Sequence, residues 1–150
     1  CILGDGPLRP VLQQMALQFN VTQRLFWLGW RPYEELLEWT ASADIGLALI
    51  EPISRSYELA LPNKVFEYCM AGIPTIATAL PALQQLFERH RIGVLLSPEL
   101  SIEELRRAVR TLRIPEVWNQ YHKRCRQAAT QLCWEAQHSK LVELWETTSC

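Results

Sequence analysis

The stretch LPNKVFEYCMAGIPTIAT, residues 61–78, contains the clearest structural pattern in this chain of 150 residues. Its apolar side chains recur at helical spacing, which predicts a short helix lying on a sheet. The members of this stripe are Val65, Phe66, Cys69, Met70 and Ile73. Gly72 is expected to close the helix, and residues 75–78 then read as a strand rich in β-branched residues. The segment therefore predicts a helix followed by a buried strand.

The start of this helix carries polar groups on a different face. Asn63 and Glu67 are four residues apart and so lie together, away from the apolar stripe. Pro62 suits the first helical position, and no Ser, Thr or Asp precedes it as a side-chain cap. The first backbone N–H groups are therefore expected to be available to an anion, with Lys64 beside them. A structural helix with a solvated Glu and Lys is the simpler alternative, and the residues alone leave both open.

Composition excludes several classes of protein. With 49% hydrophobic and 21% charged residues the chain resembles an ordinary soluble domain, and its length suits one domain. A formal net charge of -1 gives no reason to expect nucleic acid as a partner. No apolar run approaches the roughly twenty residues of a membrane span, and no signal peptide is recognisable. A cytoplasmic location is expected.

The five cysteines are odd in number and include no CxxC pair. Reduced thiols therefore fit better than a disulfide framework or a zinc site, with Cys69 as a small core residue. His90, His122 and His138 show no metal-ligand spacing and are expected on the surface. No metal site is predicted.

The remaining chain alternates apolar strands with amphipathic helices. Strands are predicted at residues 1–4, 24–28, 44–50 and 92–96, and helices at 7–19, 33–41, 80–89, 101 onward, 115–133 and 134–145. The run 44–50 is expected to be buried on both faces, residues 53–60 form a polar loop, and Ser101 with Glu104 matches a capping box. The predicted fold is α/β, a Rossmann-like open and mostly parallel sheet with helices on both faces. The first strand reads as the end of a longer one, so a chain truncated at its N-terminus is expected.

Two loops at predicted strand ends could contact a ligand. Gly4 and Gly6 let the backbone approach closely, although Arg9 stands where a complete GxGxxG would have its third glycine. Trp30 and Arg31 offer a flat face and a polar group that suit a nucleobase; the alternative is that Trp30 caps the core.

Five segments in this order resemble the nucleotide-sugar-binding domain of group 1 (family 4) GT-B glycosyltransferases. They are LGDGP at 3–7, LGW at 28–30, SADIGL at 42–47, PNKVFEY with AGIP at 62–74, and IGVLL at 92–96. The resemblance implies that residues 1–150 are a donor-binding domain. It also implies that residues 133–150 form a helix crossing to an N-terminal acceptor domain missing from this chain.

The activity implied by the resemblance is retaining and metal-independent transfer of a sugar, of hexosyl type, from a UDP- or GDP-sugar to a glycan, lipid or small-molecule acceptor. No cofactor is expected. The partners are the nucleotide-sugar and the N-terminal acceptor domain, together with a peripheral membrane contact through the rest of the protein. This chain alone is expected to be inactive.

The resemblance also implies roles for the residues around the organising helix. Lys64 and Glu67 correspond to catalytic positions, with Lys64 at the phosphates and Glu67 at the ribose, and Pro62 and Asn63 adjoin the substrate. Gly4 and Gly6 edge the nucleotide-sugar cleft, and the loop of Trp30 and Arg31 contacts the base.

One position departs from the family pattern. Many members have two glutamates separated by seven residues, but Leu59 stands where the first is expected and Glu58 misses that position by one. Glu51 and Glu58 are therefore both candidates for contacting the sugar. Two alternatives stay open: a non-catalytic nucleotide-binding remnant or module, and a GT-B sugar-nucleotide epimerase, a family that uses carboxylates and a His near the cleft.

Overall fold

The computed structural model describes residues 1–148, in which strands and helices alternate. The strands are β1 (Ile2–Leu3), β2 (Trp27–Gly29), β3 (Gly46–Ala48), β4 (Thr75–Thr78) and β5 (Gly93–Leu96). The helices are α1 (Arg9–Gln18), α2 (Tyr33–Ala41), α3 (Arg55–Glu58), α4 (Asn63–Met70), α5 (Pro81–His90), α6 (Ile102–Leu112), α7 (Pro115–Leu132) and α8 (Trp134–Thr148). Contacts divide the chain into two compact units, Cys1–Leu36 and Leu37–Cys150.

In the first unit, β1 and β2 form a parallel pair with Leu3 opposite Gly29. The strand predicted at 24–28 is displaced, because Thr22–Arg24 forms a 3₁₀ turn and the strand begins at Trp27. The N–H of Arg24 donates to the Val21 carbonyl at 2.8 Å. That local bond uses an amide that a strand would have placed in the sheet ladder.

In the second unit, β3, β4 and β5 form a parallel sheet with β4 in the centre. Successive side chains of β4 point to opposite faces. Ala77 belongs to a core cluster with residues of α4, α5 and α7, whereas Ile76 packs with Ala108 and Leu112 of α6. This arrangement confirms the predicted open parallel sheet with helices on both faces.

The prediction that residues 44–50 form a strand buried on both faces is wrong. Only Gly46–Ala48 is a strand, it lies at the edge of the three-stranded sheet, and Leu47 is 46% exposed. All four residues of β4 are buried instead. An apolar run shows that a segment is able to be buried, whereas strand order decides which run has neighbours on both sides.

Two local predictions also fail. The loop predicted at 53–60 contains the one-turn helix α3. Ser101 makes no side-chain capping bond. The reciprocal bond of a capping box, from the Ser101 N–H to the Glu104 carboxylate, is replaced: that carboxylate accepts the Ser97 hydroxyl at 2.7 Å and the Ser97 N–H at 2.9 Å. These two bonds hold the pKa of Glu104 below its ordinary value. Ser97 offers the Glu104 carboxylate two donors, whereas a capping box would offer it only the Ser101 N–H.

Helices α2, α5, α6 and α7 confirm the predicted segments to within one or two residues. The predicted C-terminal helix begins at Trp134, and residues 149 and 150 lie outside the described part of the chain. Within residues 1–148, no helix is both long enough and apolar enough to cross a membrane.

The described cysteines are free thiols, which confirms the prediction for these four positions. Cys69 and Cys125 are buried, and the Cys69 thiol donates to the Cys125 carbonyl at 3.2 Å. The pKa of the Cys125 thiol is raised by the hydrogen bond between the two cysteine side chains and by burial. Both cysteines are core residues joining α4 to α7. Cys150 lies outside the described residues.

Candidate functional site

The chain runs from the end of β3 through α3 and then α4 to the start of β4. Because these strands are parallel, the Asn63 end of α4 lies at the carboxyl edge of the sheet, where open α/β sheets bind ligands. At this edge, the N–H of Ile50 donates to the Thr78 hydroxyl at 2.8 Å and joins the chain after β3 to the end of β4. The fold therefore directs the polar start of α4 toward the edge expected for a site.

The apolar face of α4 is confirmed. Val65, Cys69 and the following Ile73 are at most 2% exposed, and Phe66 and Met70 are half-buried beside them. The ring of Tyr68 lies so close to β3 that a Cβ on Gly46 would overlap it, and its hydroxyl donates to the Leu47 carbonyl at 3.2 Å. Sequence reasoning missed this contact, although a glycine inside an apolar strand is a signal of close approach.

The C-terminal end of α4 closes as predicted at Gly72, whose φ of 75° is left-handed. The N–H of Ile73 donates to the Tyr68 carbonyl and the N–H of Gly72 to the Cys69 carbonyl, both at 3.0 Å. This pair of bonds is a Schellman motif, which satisfies carbonyls that a helix end otherwise leaves unpaired.

His122 contacts this same end, so the prediction that it is a surface residue is wrong. It is half-buried, its Nδ1 lies 2.6 Å from the Gly72 carbonyl oxygen, and its ring stacks on Trp118 with centroids 4.9 Å apart. The sequence separation of 50 residues explains why no local pattern indicated the contact.

The N-terminal end of α4 differs from the prediction in one detail. Pro62 is the capping residue, with an extended backbone (ψ 139°), and Asn63 is the first helical residue. The absence of a side-chain cap is confirmed. The N–H of Val65 donates to the Pro62 carbonyl at 3.1 Å, whereas the N–H groups of Asn63 and Lys64 make no hydrogen bond within residues 1–148. Two amides therefore point away from the helix without a partner from the described chain.

The side chains of this first turn are also unpaired in the part of the chain that the structure describes. Lys64 is exposed and Glu67 half-buried, and neither makes a side-chain hydrogen bond or ion pair there. Burial raises the pKa of Tyr68, and the nearby Glu67 carboxylate adds to that shift. A cation, two free amides and an unpaired carboxylate thus lie within two turns of one helix.

The two spare glutamates lie on the segment between β3 and α4. Glu51 is exposed, and Glu58 on α3 pairs with Arg55 at 3.0 Å. Neither makes a hydrogen bond to α4 among the described residues. Their roles at the sugar stay predictions.

In the first unit, Gly4 has a φ of 96° and Gly6 donates its N–H to the Asp5 carboxylate at 2.8 Å. Arg9 pairs with Asp5 at 2.9 Å and lies over the Trp27 ring at 5.5 Å. The Gly6 amide and the Arg9 guanidinium lower the pKa of Asp5. Arg9 is therefore a structural residue of this turn.

Trp30 is 81% exposed, so the alternative that it caps the core is wrong. Arg31 next to it is also exposed. A contact of Trp30 and Arg31 with a nucleobase, and of Gly4 and Gly6 with the donor, stays a prediction.

Two grooves in the second unit have volumes of about 740 and 540 Å³. The larger lies among α4, α5, α7 and α8, the smaller beside α6 and Trp118, and neither includes a candidate site residue. The site at the start of α4 stays a prediction, and it is preferred to the grooves because unpaired amides and charges suit an anion more specifically than groove size does. Among the described residues, no group of three His, Cys, Asp or Glu side chains could hold a metal ion.

Comparison with known proteins identifies the family. The profile described as glycosyl transferases group 1 matches residues 1–113. The chain belongs to the group 1 glycosyltransferases. No curated protein sequence matches it significantly.

Solved structures confirm the GT-B fold class of this group 1 chain. Sucrose-phosphate synthase from Thermosynechococcus elongatus shares 22% identity and a TM-score of 0.78, over 97% of this chain and 37% of that one. WaaG, a glycosyltransferase involved in lipopolysaccharide biosynthesis, shares 18% identity and a TM-score of 0.70, over 95% of this chain and 36% of that one. The chain thus spans little more than a third of either structure.

Proposed function

We propose that this chain is the donor-binding half of a retaining, metal-independent glycosyltransferase that transfers a hexosyl group from a UDP- or GDP-sugar. The observation that carries the proposal is the start of α4, where two amides, Lys64 and Glu67 all lack a partner within the described residues. Membership of the group 1 family supports the reaction class.

The diphosphate of the donor is assigned to the amides of Asn63 and Lys64 and to the Lys64 ammonium. Charge builds up on the leaving diphosphate as the bond to the sugar breaks. N–H groups at a helix start and a nearby cation stabilise that charge without reorganising. This arrangement performs the task that a divalent metal performs in other transferases.

The ribose is assigned to Glu67. A carboxylate accepts hydrogen bonds from two neighbouring hydroxyls, and Glu67 lies about 4.5 Å farther along the helix axis than Lys64. Glu67 is half-buried and lies near Tyr68. The spacing along the helix follows the order of diphosphate and ribose in the donor.

Titration calorimetry of the chain with UDP and with GDP tests the proposal. We expect one of them to bind, and we expect Glu67→Gln to weaken that binding by about 1–3 kcal/mol, the cost of losing a charged hydrogen bond. The control is Glu88→Gln, which removes an exposed carboxylate from α5 and should leave affinity unchanged. Failure of both nucleotides to bind, or unchanged affinity in Glu67→Gln, would contradict the proposal.

A second measurement separates the transferase from a non-catalytic nucleotide-binding module. The chain alone should transfer no sugar to an added acceptor, because we expect the N-terminal domain to supply the acceptor-binding surface. Joined to that domain it should transfer sugar, and Glu67→Gln should reduce the rate. Nucleotide binding without transfer by the joined protein would favour the non-catalytic module.

A further inference from the structure

Helix α4 is held in place along its own axis by contacts with neighbouring elements. Side-chain hydrogen bonds connect α4 and the chain just after it to β3 and α7. Tyr68 donates to the Leu47 carbonyl of β3 and Cys69 donates to the Cys125 carbonyl of α7. From α7, the side chains of His122 and Cys125 bond to the carbonyls of Gly72 and Ile73. The bond at the end of the helix is the shortest, with His122 Nδ1 2.6 Å from the Gly72 carbonyl oxygen. A carbonyl can only accept, so Nδ1 carries the proton and donates.

His122 is itself held by Trp118, one helical turn earlier on α7. The two rings stack at 4.9 Å with an angle of 12°, and the Trp118 indole N–H donates to the Asp44 carbonyl at 2.7 Å. We call these two side chains the α7 clamp. The clamp donates hydrogen bonds to the Asp44 carbonyl, just before β3, and to the Gly72 carbonyl, just before β4. Both carbonyls lie at the amino edge of the sheet.

His122 packs closely against Gly72. A Cβ on Gly72 would meet His122 Cε1 at 3.0 Å, and Gly72 is itself buried. The amides of Asn63 and Lys64 lie about 12 Å from Gly72 along the helix axis. Because the helix is rigid, a shift of Gly72 along the axis moves these amides by a similar amount. The Glu67 side chain can adjust its torsions to such a shift, whereas backbone amides cannot.

We infer that His122 is a positioning residue for the donor diphosphate: through the Gly72 carbonyl it fixes α4 so that the amides at the opposite end meet the phosphates. The inference rests on the proposed function of α4. Diphosphate binding should therefore depend on His122 more strongly than nucleoside binding does. A merely structural role would lower stability without changing this selectivity.

The test compares dissociation constants of the chain for UDP and uridine, and for GDP and guanosine. His122→Phe keeps an aromatic ring against Trp118 but removes the donor. We expect it to weaken binding of the preferred diphosphate about three- to tenfold, while affinity for the parent nucleoside changes less than about twofold. His122→Asn places an amide N–H near the position of Nδ1 and should restore most of the affinity, whereas His122→Gln extends beyond it and should not.

The control is Ile76→Val, which removes a methyl group from the sheet face opposite α4 and should lower thermal stability without changing either constant. If His122→Phe fails to fold, the comparison of the Asn and Gln variants decides. Equal losses for diphosphate and nucleoside, or no loss for either, would overturn the role of His122 while leaving the proposed function intact. Absence of diphosphate binding by the unmodified chain would overturn both.

Discussion

The two ends of α4 are built differently. At the C-terminal end, a left-handed Gly72, two Schellman bonds and His122 satisfy the backbone, and residues 72–75 are buried. At the N-terminal end, Pro62 caps without a side-chain bond, Asn63 and Lys64 are exposed, and their amides have no partner within residues 1–148. The chain stabilises one end of the helix by itself and leaves the other end able to accept a ligand. Of these two ends, we expect a mutation at Gly72 to have the larger effect on stability. We expect a mutation at Lys64 to have the larger effect on nucleotide binding.

The largest effect on stability is expected from Gly72→Ala. A left-handed φ of 75° strains any residue with a Cβ, and the added methyl group would press on His122. We expect the free energy of unfolding to fall by about 2–3 kcal/mol, as measured by urea denaturation.

The matched control for this variant is Gly6→Ala. Gly6 does not have a left-handed φ, and a Cβ there would meet no atom within 4 Å. The Gly6→Ala variant should therefore have the same free energy of unfolding as the unmodified chain. If both variants lost the same stability, the contrast between the two ends of α4 would not originate at Gly72.

An intermediate effect is expected in the middle of the helix, from Tyr68→Phe. The substitution keeps the ring against Gly46 and removes only the hydroxyl that donates to the Leu47 carbonyl at 3.2 Å. Loss of one such bond should cost about 1 kcal/mol of unfolding free energy, measured by the same denaturation. An effect as large as that of Gly72→Ala would show that the middle of α4, rather than its C-terminal end, anchors the helix.

The smallest effect on stability is expected from Lys64→Gln. A cation is unfavourable near a helix N-terminus, so removing it should raise the free energy of unfolding by a few tenths of a kcal/mol. If this end binds the diphosphate, the same change should weaken binding of UDP or GDP and leave the nucleoside unaffected, as measured by calorimetry.

Lys123→Gln, which removes an exposed lysine from α7, is the control for nonspecific charge effects. Equal losses for diphosphate and nucleoside in Lys64→Gln, or no loss for either, would remove Lys64 from the phosphate site. The structural reading of this helix end would then be the better one.

Local pattern alone predicted much of α4. The spacing of Val65, Cys69 and Ile73 marked the buried face, Gly72 marked the end, and the absence of a side-chain cap before Asn63 marked the open start. These features depend on neighbours within about one or two helical turns, so they can be read without knowing the fold. The resemblance to group 1 glycosyltransferases supplied the family and the roles assigned to Lys64 and Glu67.

The sequence by itself thus determined the helices other than α3, the parallel α/β class and the polar start of α4. Only the tertiary structure decided that β4 rather than β3 is the buried central strand, that Glu104 bonds to Ser97, and that His122 holds the Gly72 carbonyl. The physical reason is that strand order and the choice of hydrogen-bond partner depend on competition among groups far apart in the chain. Gly72 and His122 are separated by 50 residues, a distance over which helical periodicity carries no information.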